Sequence, residues 1–122
     1  MRVLVIDDDE IFCRLLVEIL ESKGIETAST TDGLAGYEMI NRNHFDLFII
    51  DVRMPLILGT ELAEAIKEND AQARIILASA FADSKLRDFA AKNGLFLLSK
   101  PFNLERFLKT LDQALPGALS LS

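Results

Sequence analysis

The sequence predicts an α/β fold in three layers, with a mostly parallel sheet held between two layers of helices. Three observations lead there. Short apolar runs alternate along the chain with segments of helical spacing, the pattern of repeated strand and helix pairs. Four of those runs, VLVI (3–6), LFII (47–50), IILA (75–78) and LFLL (95–98), are apolar at every position, as strands buried on both faces require. Five strands with five helices fill the 122 residues, so the chain is read as one domain, 1–122, with its core over about residues 2–115.

The first strand is VLVI, and behind it the segment IDDDEIF places four consecutive carboxylates, Asp7, Asp8, Asp9 and Glu10. Asp8 or Asp9 is the expected N-cap of the first helix, with Ile11, Leu15, Leu16, Ile19 and Leu20 on its apolar face before Gly24. IETAST (25–30) is polar enough for a strand at a sheet edge, and Asp32 starts the second helix. LFII leads into Asp51, and Leu62, Ala63 and Ile66 mark the third helix. IILA leads into Ser79, after which Asp83 caps a helix that turns Leu86, Phe89 and Ala90 inward. LFLL leads to Lys100-Pro101, and Asn103 starts a helix with the stripe Leu104, Phe107, Leu108, Leu111 and Leu115. Pro116-Gly117 ends that helix, and the tail ALSLS is expected to fray.

Composition narrows the function. Half the residues are hydrophobic, enough for a core that needs no disulfide or metal staple at this length. Thirteen basic against nineteen acidic residues give a net charge of −6, which argues against direct nucleic-acid binding. The single cysteine, Cys13, fits a reducing compartment and is read as a buried helix residue. No apolar run reaches the length of a membrane span, and acid follows the first strand too early for a signal peptide. The expected location is therefore cytoplasmic, without membrane contact.

In parallel sheets, ligands gather beyond the carboxyl ends of the strands. The residues just past those ends are Asp7 and Asp8, Asp51, Ser79 and Lys100. Two carboxylates about 4 Å apart repel by roughly 4 kcal/mol at an effective dielectric near 20, so either these groups point into water or something positive belongs among them. Oxygen-only donors with a surplus of carboxylate suit Mg²⁺. A lysine and a hydroxyl beside that cation suit a phosphoryl group.

With these residues in order, the chain resembles the receiver domain of two-component response regulators. The resemblance rests on VIDD (5–8), on IIDVRMPLILG (49–59) with its D-x-x-M-P-x-x-x-G spacing, on ILASA (76–80) and on SKPF (99–102). It implies a flavodoxin-like (βα)5 doubly wound sheet in the order 2-1-3-4-5. It also implies a phosphoacceptor, Asp51, that receives its phosphoryl group from a sensor histidine kinase or histidine phosphotransfer protein. Mg²⁺ would be held by Asp7, Asp8, Asp51 and the backbone carbonyl of Arg53, with Asp7 acting mainly through water. Ser79, Ala80 and Lys100 would hold the phosphoryl group, and the Lys100-Pro101 bond would be cis. Such a chain is a signalling receiver that catalyses only its own phosphorylation and slow dephosphorylation. Its phosphorylated form binds a downstream protein target through the last helices and fifth strand, or a second copy of itself. Asp9 and Glu10 fall outside the site and are assigned to the start of the first helix, where negative charge is favoured.

Three places set this chain apart within the family pattern. Where the family has an aromatic switch residue three before the lysine, this chain has Leu97, with Phe96 one earlier. A one-residue shift in a strand reverses side-chain direction, so Ser79 is expected to couple to a muted or leucine-based switch. Leu56, Ile57 and Leu58 are expected to be exposed beside the site as a docking surface. Arg53 and Phe81 are expected to shield the acyl phosphate from water. A haloacid-dehalogenase-type phosphohydrolase would also use a strand-end aspartate, but IDDDEIF lacks its D-x-D-x-T/V arrangement and the chain has no room for a cap domain.

Overall fold

In the computed structural model, which describes residues 1–119, five strands alternate strictly with five helices. They are β1 (Arg2–Ile6), α1 (Glu10–Ser22), β2 (Glu26–Thr30), α2 (Gly33–Arg42), β3 (Leu47–Asp51), α3 (Gly59–Asn69), β4 (Ile75–Ser79), α4 (Ser84–Asn93), β5 (Phe96–Ser99) and α5 (Leu104–Ala114). The strands form one sheet in the order β2-β1-β3-β4-β5, parallel throughout. This is the flavodoxin-like arrangement, and the polar strand β2 lies at an edge, as its composition requires.

Strand alternation divides the apolar core in two. Val3, Val5, Leu47, Ile49, Ile76 and Leu98 face the layer of α1 and α5, together with Phe107 and Leu111. Leu4, Ile6, Phe48, Ile50, Ile75 and Leu77 face the layer of α2, α3 and α4, together with Leu62 and Ile66. The register Val3↔Leu47 and Ile49↔Ile76 keeps those faces aligned from strand to strand.

Four helix starts follow the expected side chains. Asp9, Asp32, Asp83 and Asn103 each accept backbone N–H bonds from the first turn that they open, satisfying donors that would otherwise be orphaned. Helix α3 starts without such a cap. There the Glu61 carboxylate reaches back to the Leu58 N–H at 2.9 Å.

Some faces differ from the sequence reading. Ile11 and Leu15 are exposed, whereas Cys13, Leu16 and Leu20 are buried as expected. The apolar residues of α1 outnumber those its buried stripe can hold. Leu104 likewise stands outside the α5 stripe. The expected frayed tail is corrected in part: Ala118 is buried and Leu119 packs against the α1–α5 core, while residues 120–122 lie outside the described residues. Of the expected apolar loop, Leu56 and Leu58 are exposed but Ile57 turns inward against the α2–α4 core. Leu56 holds φ at +73°, a left-handed conformation costly for a branched side chain.

Gly59 explains why the chain after β3 needs a glycine. A Cβ there would collide with the Asp51 carbonyl and lie 2.8 Å from the Val52 Cα, while its N–H donates to the Val52 carbonyl at 2.8 Å. Backbone on backbone cannot yield as a side chain can. Gly59→Ala is therefore expected to cost about 3 kcal/mol or more by urea unfolding. A loss below about 1 kcal/mol would show that the close approach is not required.

Candidate functional site

The parallel topology brings every strand's carboxyl end to one rim. Asp51 closes β3 and Ser79 closes β4, while Asp7, Asp8 and Lys100 follow directly on β1 and β5. Asp7 and Ser79 are almost fully buried and Asp51 nearly so, whereas Asp8 is exposed. Carboxylate oxygens of Asp7, Asp8 and Asp51 lie within 4.8 Å of one another. Three oxygen donors at that spacing fit a hard divalent cation, so the residues present match the ion that the sequence implies.

Lys100 compensates part of the charge. Its Nζ donates to Asp7 Oδ2 at 2.8 Å and to Asp51 Oδ1 at 3.4 Å. The Lys100 N–H donates to the Ser79 carbonyl at 2.8 Å, which holds its backbone beside β4; the Lys100-Pro101 bond is cis as expected. The fixed acids are themselves tied down. Asp7 Oδ1 accepts from the Asp9 N–H at 3.0 Å, and Asp9 in turn caps α1. The run IDDDEIF thus divides into two site acids, a helix cap and a first-turn acid.

Burial first, and then the charge of Asp7, push the Asp51 carboxyl up to about 6; Lys100 only partly offsets this. For Lys100, burial disfavours the charge, but the hydrogen bond and charge of Asp7 together with Asp51 outweigh it and hold the ammonium above its usual range. The Cys13 thiol is pushed up to about 11 by burial and by Asp7, and it donates to the Asp7 carbonyl at 3.1 Å. It is a packed, neutral thiol.

Between these groups lies an open pocket of about 400 Å³ lined by Asp51, Arg53, Ser79, Ala80, Phe81 and Lys100. The Ser79 hydroxyl accepts from the Phe81 N–H at 3.0 Å, which leaves its proton available for donation. Arg53 lies over the exposed Phe81 ring, 5.9 Å from its centroid. On β5, Leu97 faces the α2–α4 core and Phe96 the α1–α5 core. The aromatic has changed layers, as the one-residue shift predicts.

The geometry therefore unites Asp7, Asp8, Asp51, Ser79, Ala80, Arg53 and Lys100 on one rim and leaves Leu97 in the strand behind it. Two supporting positions complete the site: Gly59, read from the sequence as the last position of the motif that begins at Asp51, and Phe12, which the sequence reading missed. Gly59 lies hard against the Asp51 backbone, and Phe12 touches Lys100 from α1. The signal for Gly59 was its fixed spacing from Asp51; for Phe12 no sequence signal existed.

The sequence profile of the response regulator receiver domain matches residues 3–112. The chain belongs to that family. It is 32% identical over 118 residues to the response regulator receiver protein CpdR of Brucella abortus, covering 96% of this chain and 98% of CpdR. Among solved structures it resembles response regulator TrrA of Thermotoga maritima in complex with Mg²⁺-BeF, with a TM-score of 0.82, 29% identity and coverage of 93% and 98%. It also resembles the beryllofluoride-activated NtrC4 receiver domain dimer, with a TM-score of 0.87, 31% identity and coverage of 96% and 98%. As a receiver domain, the chain is a signalling module of two-component systems. Among its described residues no helix is long and apolar enough to cross a membrane.

The raised Asp51 value fixes a pH dependence for the metal-free receiver. Its carboxyl titrates near 6 folded against 3.8 for the ordinary group, so folding favours the protonated form. The resulting destabilisation is absent below about pH 4 and complete above about pH 6. Asp51→Asn is expected to raise stability by about 2 kcal/mol at neutral pH, with the gain fading as pH falls toward about 4. Urea unfolding in chelator across that range checks this; a gain independent of pH would refute it.

Proposed function

We propose that this receiver accepts a phosphoryl group on Asp51 from a sensor histidine kinase or histidine phosphotransfer protein, and that the phosphorylated form changes which partner it binds. The observation that carries the reading is the grouping of Asp7, Asp8 and Asp51 within 4.8 Å, with Lys100 bridging two of them.

An Asp51 carboxylate oxygen attacks phosphorus in line with the phosphoramidate bond of the donor. The P–N bond breaks, its electrons return to the imidazole, and an aspartyl phosphate remains. Asp8, Asp51 and the Arg53 carbonyl, with Asp7 mainly through water, would hold Mg²⁺, which when bound would supply positive charge to offset that on the phosphoryl oxygens. Lys100 supplies a further positive charge at the Asp51 oxygen. Ser79 donates its hydroxyl proton to a phosphoryl oxygen, and the Ala80 backbone N–H offers a second donor beside it. The chemistry is positioning and charge neutralisation, and no other covalent step falls to the chain.

Ser79 and Leu97 form the switch pair. Ser79 lies on β4 opposite Ser99, and Leu97 opposite Leu77. Leu97 packs into the α2–α4 core, so movement of Ser79 toward a phosphoryl group reaches α4 through apolar packing, without an aromatic rotamer. Partners for the switched face are a downstream protein target or a second copy of the chain; the dimeric NtrC4 receiver supports the latter. The acidic balance of −6 favours protein partners over direct nucleic-acid contact, and the expected location is cytoplasmic.

Arg53 and the Phe81 ring, 5.9 Å apart, cover the open side of the pocket and slow the approach of water to the acyl phosphate.

Incubation with Mg²⁺ and a small acyl-phosphate donor is expected to add one phosphate by intact mass, lost in Asp51→Asn and in chelator. No gain in the wild type, or a gain retained in Asp51→Asn, would overturn the assignment. Phe81→Ala is expected to speed decay of the phosphorylated form several-fold; an unchanged lifetime would remove the shielding role.

A further inference from the structure

Lys100 has a third neighbour. Its Nζ lies 4.4 Å from the centroid of the Phe12 ring, while its protons reach Asp7 and Asp51. An ammonium carries three donors, and here two are turned to carboxylates while a π-face covers another side. Lys100 is only 22% exposed along its side chain, so the attraction to the ring is weakly screened.

The ring is itself anchored from two directions. Asp9, the cap of α1, accepts the Phe12 N–H at 3.1 Å, which fixes where the first turn presents the ring. Phe102 meets it edge-on at 5.5 Å and 75°, and Phe102 stacks at 5.9 Å on Phe107, which is buried in α5. Lys100 is thus seated between the acidic rim and an aromatic run joining α1 to α5.

We propose that Phe12 is a positioning residue for Lys100: its ring seats the ammonium against Asp7 and Asp51 in the metal-free receiver and so weakens the binding of a competing cation. This rests on the reading of the acidic cluster as a Mg²⁺ site. A divalent ion among Asp7, Asp8 and Asp51 repels an ammonium that already shares two of them. Every contribution that holds Lys100 in its seat therefore opposes metal binding. Phe12 sets the balance between the internal cation and the external one without touching either metal or phosphoryl group.

The experiment uses the full chain in two variants. Phe12→Leu keeps apolar bulk and helical preference but removes the π-face, and Phe12→Tyr keeps the face. In metal-free wild type the Lys100 ε-methylene protons are expected upfield of the other lysines through the ring current, in spectra of lysine-labelled protein. Phe12→Leu is expected to lose that shift and to bind Mg²⁺ about three-fold more tightly, followed by amide shifts at the ends of β1 and β3. Phe12→Tyr is expected to restore both. A Phe12→Leu protein that is less stable yet keeps its Lys100 shift and wild-type Mg²⁺ affinity would overturn the proposal, because packing alone predicts that outcome. Failure of the wild type to bind Mg²⁺ would overturn the metal reading and the competition with Lys100 that rests on it. The ring-current shift, read without metal, still decides separately whether Phe12 seats Lys100.

Discussion

A single ammonium among three carboxylates organises this receiver domain. Lys100 pairs with Asp7 at 2.8 Å and Asp51 at 3.4 Å, and both acids are buried. Two such charges in partial burial repel by several kcal/mol when unscreened by a counter-ion, and the lysine offsets only one of them. The residual negative charge makes the rim receptive to a cation. The same imbalance, added to burial, raises the Asp51 carboxyl. Folding into this arrangement is possible because the parallel sheet supplies stability elsewhere, in two apolar layers that keep their faces aligned across all five strands.

Those layers also decide what each site residue can influence. Asp51 shares strand parity with Leu47 and Ile49, which face α1 and α5, whereas Ser79 shares parity with Ile75 and Leu77, which face α2 to α4. Asp51 and Ser79 therefore stand at the ends of strands whose alternation leads to opposite halves of the core. On the α4 side the chain offers Leu97. On the other side Phe12, Phe102 and Phe107 make contact from the lysine to α5. The aromatic weight that the family places on the α4 side of β5 is here turned, with Phe96, toward α1 and α5.

The segment after β3 shows how backbone geometry constrains Asp51. Gly59 presses on the Asp51 carbonyl, and its N–H holds Val52. The loop that makes this approach possible holds Leu56 in a left-handed conformation and folds Ile57 inward. Glu61 then completes the start of α3 by bonding the Leu58 N–H. Strain and exposed leucine side chains in this loop accompany the tight placement of Asp51 on its rim.

By itself the sequence determined the element order, three helix caps and a fourth to within Asp8 or Asp9, the edge position of β2 and the acids and lysine of the rim, because these depend on local chemistry. A strand buried on both faces must be apolar throughout, an aspartate before a helix caps it, and residues that close parallel strands share one rim. Tertiary structure alone decided which apolar residues of α1 face inward. Ile11 and Leu15 fit helical periodicity as well as Cys13 and Leu16, and only the orientation of α1 on the sheet separates them. It alone revealed that Ile57 turns inward between two exposed leucines, that Ala118 returns to the core, and that Phe12 covers Lys100. Each of these contacts joins residues whose proximity is set by the packing of a helix or loop on the sheet, and no local pattern encodes that distance.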